Sequence, residues 1–194
     1  MRIHGRHLLA ARPAVADPAT PPALPSMLAL LLLLPACSPA LNWRDVRPVG
    51  TALQLQMPCR PNLQARTVSL GGQPVRLQLL VCDADGRTWA LATASVAESG
   101  AVDAALQALR AAALANIGAD ASVAISRPLQ VPGATPQVAA AHLDARGRLP
   151  DGQSVQIQAA VFADGSQVHQ ATALGPALPA AETRIFFDSL RIVR

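Results

Sequence analysis

The chain contains no lysine and no tyrosine, and only two tryptophans and three phenylalanines. Surfaces that read single-stranded nucleic acid or sugars stack their ligands on aromatic side chains, so this composition argues against them. Charge is scarce as well, at 14% of residues. Thirteen of the sixteen arginines and eleven of the twelve acids follow position 36, leaving +2 on that part of the chain. Such a balance draws in neither nucleic acid nor an anionic membrane by charge alone. No apolar run reaches the ~20 residues that a spanning helix needs; Leu28–Leu34 has seven. Gly71-Gly72 is followed by no Gly-Lys-Ser/Thr, so it cradles no phosphate. Asp83-Ala84-Asp85-Gly86 starts like a calcium loop, but Thr88 and Ala94 stand where that loop needs glycine and glutamate. Ser154, Asp151 and His169 offer triad residue types, yet Ser154 has no Gly-x-Ser-x-Gly elbow and Asp151-Gly152 already forms a turn. No dense His/Cys spacing marks a metal site. These absences predict a protein that is not an enzyme and carries no cofactor.

What is present begins with Met27–Cys37. Arg2, Arg6 and Arg12 precede the Leu28–Leu34 run, and small residues follow it, the order of an export signal. Leu34-Pro35-Ala36-Cys37 resembles the lipobox of bacterial lipoproteins. That resemblance implies cleavage after Ala36 and acylation of Cys37. It divides the chain into a signal peptide over 1–36, an anchor and tether over 37–50, and one domain over 51–194. Ser38, rather than aspartate, follows the cysteine, which in that family's enteric sorting rule favours the outer membrane. The expected location is therefore the cell envelope, lipid-anchored and facing the periplasm. The expected partners are the membrane, through the lipid, and another envelope protein; nucleic acid is not expected.

Cys59 and Cys82 then remain as an even pair in an oxidising compartment, where a disulfide is expected. Side-chain parity complicates it. Val75, Leu77, Leu79 and Val81 share one face of a strand, so Cys82 falls on the other, and a single core-facing surface would need a bulge or strand end there.

Alternation predicts strands over 51–57, 66–70, 74–82, 87–96, 121–126, 137–145, 153–163 and 166–174. Asp85-Gly86 and Asp164-Gly165 are hairpin turns between them. The strand from Arg87 puts Trp89, Leu91 and Thr93 on one face and Ala90, Ala92 and Ala94 on the other, and a row of alanines admits a close helix. Val102, Leu106, Leu109, Ala113 and Ile117 form a single helical stripe, with Ser99 or Gly100 as cap and Gly118 as stop. A second helix is expected over 180–190, burying Ile185, Phe186 and Leu190. The fold class is α+β: an antiparallel sheet of about six to seven strands with a mid-chain and a C-terminal helix. Leu53-Gln54-Leu55-Gln56-Met57-Pro58, the helix before Gly118 and the ending Phe186-Phe187-Asp188-Ser189-Leu190 resemble the PsbP-like α/β/α sandwich. That likeness spans about Asn42–Val193 and implies an accessory or scaffolding role without an active site. Asn42-Trp43-Arg44-Asp45-Val46 with Met57-Pro58-Cys59 is similar to proteobacterial envelope proteins.

Two readings of function follow. The first is a binding or accessory module of the envelope. The second is a metal-dependent or acid–base enzyme built on His142, Asp144 and His169, which need strand pairing to meet. A third possibility, an apolar carrier between helix and sheet, conflicts with the alanine row, which leaves little space.

Overall fold

The computed structural model describes residues 41–194. The expected signal peptide and the expected lipid site Cys37 lie outside the described residues. The elements are β1 (Arg44–Val46), β2 (Leu53–Met57), β3 (Asn62–Leu70), β4 (Gln73–Ala84), β5 (Arg87–Ser95), α1 (Val102–Ala115), β6 (Ile125–Pro128), β7 (Ala141–Arg148), β8 (Ser154–Asp164), β9 (Gln167–Gly175), α2 (Ala180–Asp188) and β10 (Arg191–Ile192). Seven strands form one antiparallel sheet in the order β3-β4-β5-β9-β8-β7-β6. Three short strands form a second sheet, β1-β2-β10. Among the described residues the class is therefore α+β, mostly antiparallel, with two helices.

Two meanders build the large sheet, and α1 carries the chain between them. β3-β4-β5 turn at Gly71-Gly72 and at Asp85-Gly86, all four residues having positive φ; glycine and aspartate tolerate that geometry best. After α1 the chain re-enters at the far edge as β6 and meanders back until β9 lies beside β5.

Both faces of this sheet are covered. On one, α1 buries Val102, Leu106, Leu109 and Ala113, and Ile117 just past its end completes the stripe read from the sequence. It packs on Val75, Leu77, Ala92, Ala94, Val161 and Val168, and Ala92 and Ala94 face the helix as expected. Gly147 shows how close the contact becomes: a β-carbon there meets the backbone carbonyl of Ile117, which also accepts from the Arg148 amide at 2.7 Å. On the other face, Leu53, Leu55 and Met57 of β2 join Trp89, Leu91, Phe162, Phe186, Leu190 and Ile192 in a second core. α2 is fastened there by Arg87, which pairs with Glu182 at 2.6 Å and donates through Nε to the Ala177 carbonyl at 2.9 Å. The Ser189 hydroxyl donates to the Phe186 carbonyl at 2.6 Å and accepts from the Gln56 amide at 2.8 Å. One side chain thus closes the end of α2 and ties it to β2.

The double covering removes the parity difficulty at Cys82. Even positions of β4 point into the second core, so Cys82 needs no bulge; it is 2% exposed and bonded to Cys59 with Cα atoms 5.8 Å apart. Cys59 follows β2, which lies in the small sheet and not beside the strand of Cys82, so the bridge staples one layer to the other.

Other expectations are corrected. Residues 121–123 turn, and the edge strand β6 runs Ile125–Pro128; the next strand starts at Ala141, not at 137. A 3₁₀ turn over Ser99–Ala101 leads into α1, and no side chain caps it. α2 ends at Asp188. Phe186 and Leu190 are buried, but Ile185 is exposed, because the helix sits on the sheet by the Thr183–Phe186 side. β1 lies within the stretch read as lead-in, where Trp43 packs edge-on against Trp89 with ring centroids 5.7 Å apart.

Candidate functional site

The second core does not reach across the whole sheet. Toward the β6 edge the same face turns polar, carrying Arg127 on β6, His142, Asp144 and Arg146 on β7, and Gln156 and Gln158 on β8. Register sets these residues side by side: Arg127 opposes His142, and Asp144 opposes Gln158, whose amide donates to the Asp144 carboxylate at 3.3 Å. Where this polar face meets α2 lies a cavity of about 540 Å³, lined among others by His142, Gln158, Thr183, Arg184 and Asp188. Beyond Leu129–Val131, which wall both, a second cavity of about 590 Å³ opens inside the connection from β6 to β7.

A line of aromatic edges links this region to the core. Trp89 meets Phe186 at 5.2 Å, Phe186 meets Phe187 at 5.0 Å, and Phe187 meets the His142 ring at 4.8 Å. His142 is half-buried, and burial together with the Arg127 guanidinium pushes its pKa below the ordinary 6.5, against the opposing pull of Asp144. At neutral pH it is a neutral imidazole in T-shaped contact with Phe187.

His169 belongs to a different environment. It lies on β9 opposite Phe162 and Thr93, fully buried. Its Nδ1 shares a 3.1 Å hydrogen bond with the Thr93 hydroxyl, and its Nε2 has no partner among the described residues. Burial holds its pKa down to about 4. His142 and His169 point to the same face, but β8 runs between them and Phe162 packs on the His169 ring at 5.1 Å. Strand spacing and a two-residue offset separate their Cα atoms by about 12 Å. His142, Asp144 and His169 are therefore not brought to one point, and among the described residues no three His, Cys, Asp or Glu side chains converge as metal ligands.

The other candidates are accounted for by turns. Ser154 opposes Arg148 at one end of β8, while His169 lies eight residues along that strand, about 26 Å away. Asp151 accepts from the Gln153 amide at 2.9 Å. In the Asp83–Gly86 hairpin, Asp83 accepts from the Thr88 hydroxyl at 2.6 Å and Asp85 pairs with Arg87 at 2.7 Å. Among the described residues no helix is long and apolar enough to cross a membrane. No family of known proteins matches the chain, and no curated protein matches it.

The two cavities were not foreseen in the sequence. Pro128, Pro132, Gly133 and Pro136 mark the β6–β7 connection as irregular, but nothing in their spacing says that it encloses a space. The available signal was length: twelve residues join two strands that pair directly, and connections that long are uncommon without a role.

Proposed function

We propose that this chain is a lipid-anchored binding or accessory module of the cell envelope, held to a membrane through Cys37 and facing the periplasm, with residues 51–194 as a PsbP-like α/β/α sandwich. The observation that carries this reading is the Cys59–Cys82 bridge between the layers, half-buried at Cys59 and buried at Cys82. Disulfides of this structural kind form and persist where the environment is oxidising, which fits export. The placement of α1 on one face and α2 with the small sheet on the other supports the sandwich. Binding is favoured over catalysis by the site itself. His142 leans on Phe187 and Asp144 is engaged by Gln158, while His169 is sealed in the core. The polar face and its two cavities are what the fold offers a partner.

The test is photo-crosslinking in intact cells. A photoreactive residue at Val138, which is 97% exposed at the rim of the larger cavity, should yield a discrete adduct with one envelope protein. The same residue at Val123, 72% exposed outside both cavities, should not. Equal labelling from both positions, or none from either, contradicts the reading.

A further inference from the structure

The β6–β7 connection is a built cavity. Four hydrogen bonds pin its wall to three separate parts of the fold. The Ile192 amide donates to the Pro132 carbonyl at 2.8 Å, and the Thr135 amide to the Ala163 carbonyl at 2.9 Å. The Thr135 hydroxyl accepts from the Gly165 amide at 2.9 Å, and Asp103 in the first turn of α1 accepts from the Ala139 amide at 3.2 Å. Its volume of about 590 Å³ lies within the range of small-molecule sites, which are largely pre-formed.

The lining has a one-sided chemistry. Leu129 and Ala134 supply apolar surface, with Val131 and Phe162 buried behind it, and among the described residues the only charged groups of the lining are the guanidinium groups of Arg110 and Arg127. Neither arginine forms an ion pair with a carboxylate among the described residues. Arg110 donates to the Ser126 hydroxyl at 3.1 Å, which fixes its head at the cavity edge. A guanidinium presents a planar fork of donors that matches a carboxylate or phosphate.

We propose that this cavity binds a small amphipathic anion, its carboxylate or phosphate-ester head held by Arg127 and its apolar body lying on Leu129 and Ala134. The site lies in a loop and not between α1 and the sheet, where alanines leave no room. The proposal rests on the reading of the chain as a binding module, but its test needs no envelope partner.

Isothermal titration of Pro39–Arg194, the compact unit that holds all the described elements and omits both the apolar run of the proposed signal and the cysteine proposed to be acylated, uses decanoate, octyl phosphate, decanamide and inorganic phosphate as probes. One saturable site for decanoate or octyl phosphate is expected, with decanamide and inorganic phosphate each bound at least tenfold more weakly. Arg127→Gln should weaken binding about tenfold or more, the usual cost of a lost charged hydrogen bond. Val138→Glu sets a repelling charge at the rim on a side chain that packs on nothing, and should weaken it severalfold without touching the fold. Binding of inorganic phosphate as tight as that of octyl phosphate, affinity unchanged in both variants, or no saturable binding to either amphiphile overturns the proposal. Missing crosslinks in cells with intact decanoate binding would instead count against the envelope partner alone.

Discussion

Lowering the pH should destabilise this domain well before its carboxylates protonate, and His169 is the reason. The folded chain holds its imidazole neutral down to about 4, whereas the ordinary value is 6.5. Between those two values the unfolded chain binds a proton that the folded chain refuses, so stability is present above pH 6.5 and is lost as pH falls toward 4. A difference of about 2.5 pKa units corresponds to about 3 kcal/mol, a large share of the 5–15 kcal/mol typical of a domain. His142, also lowered by burial and by Arg127, adds a loss of the same sign. The assay is urea unfolding followed by tryptophan fluorescence, since Trp89 is buried in the second core, at pH 7.5, 6.5, 5.5 and 4.5. The wild-type midpoint should fall steadily below pH 6.5. His169→Gln keeps a polar group beside the Thr93 hydroxyl but cannot titrate, so it should flatten most of that decline, and His142→Gln should flatten the smaller remainder. A His169→Gln protein that loses stability as steeply as wild type between pH 6.5 and 4.5 would refute the reasoning.

Other perturbations address the packing directly. Cys59→Ala and Cys82→Ala should each cost about 3 kcal/mol, the chain-entropy value for a loop of this size, and the double variant should cost no more than either, because both break one bond; additive losses in chemical denaturation would contradict this. Leu109→Ala removes a side chain from the centre of the α1 stripe, where it is 6% exposed, and should cost about 2–5 kcal/mol, read as a lowered melting temperature. Gly147→Ala drives a methyl group into the Ile117 carbonyl and should cost about 1–3 kcal/mol, while Gly100→Ala, with open space around it, should leave the melting temperature near wild type.

The hairpins and α1 were legible because their signals are local. Asp85-Gly86 and Asp164-Gly165 announce their turns, and the Val102–Ile117 stripe repeats with helical spacing. The alanine face of β5 even named the side on which α1 packs. What stayed hidden was the second layer. Leu80, Cys82, Ala160 and Phe162 occupy the even positions of β4 and β8, and alternation alone marks those as the outward face unless both faces are covered. β1 and β10 are three and two residues long, too short for any periodicity to register. They are held by β2 and by the core above the sheet, which are contacts distant in sequence. β6 was displaced by a few residues because all four of its side chains are exposed and carry no inward signal. The site was the least legible part. His142 and His169 are alike in sequence, and only the strand between them and the rings of Phe162 and Phe187 separate a half-open neighbour of a cavity from a sealed core residue. The loop cavity is set by backbone bonds to Ala163 and Ile192, which leave no mark in the loop's own residues, and by the Gly165 amide on the Thr135 hydroxyl, whose partner is distant in sequence.

The proposed export and lipid anchoring of the chain, together with the Cys59–Cys82 staple across its layers, are tested most directly by the intact mass of the protein isolated from membranes and alkylated before and after reduction. The expected species begins at Cys37, carries the mass of its lipid, takes up no alkylating reagent in the absence of reductant and takes up two equivalents once unfolded and reduced. A species without lipid, or one alkylated at either cysteine before reduction, would contradict them.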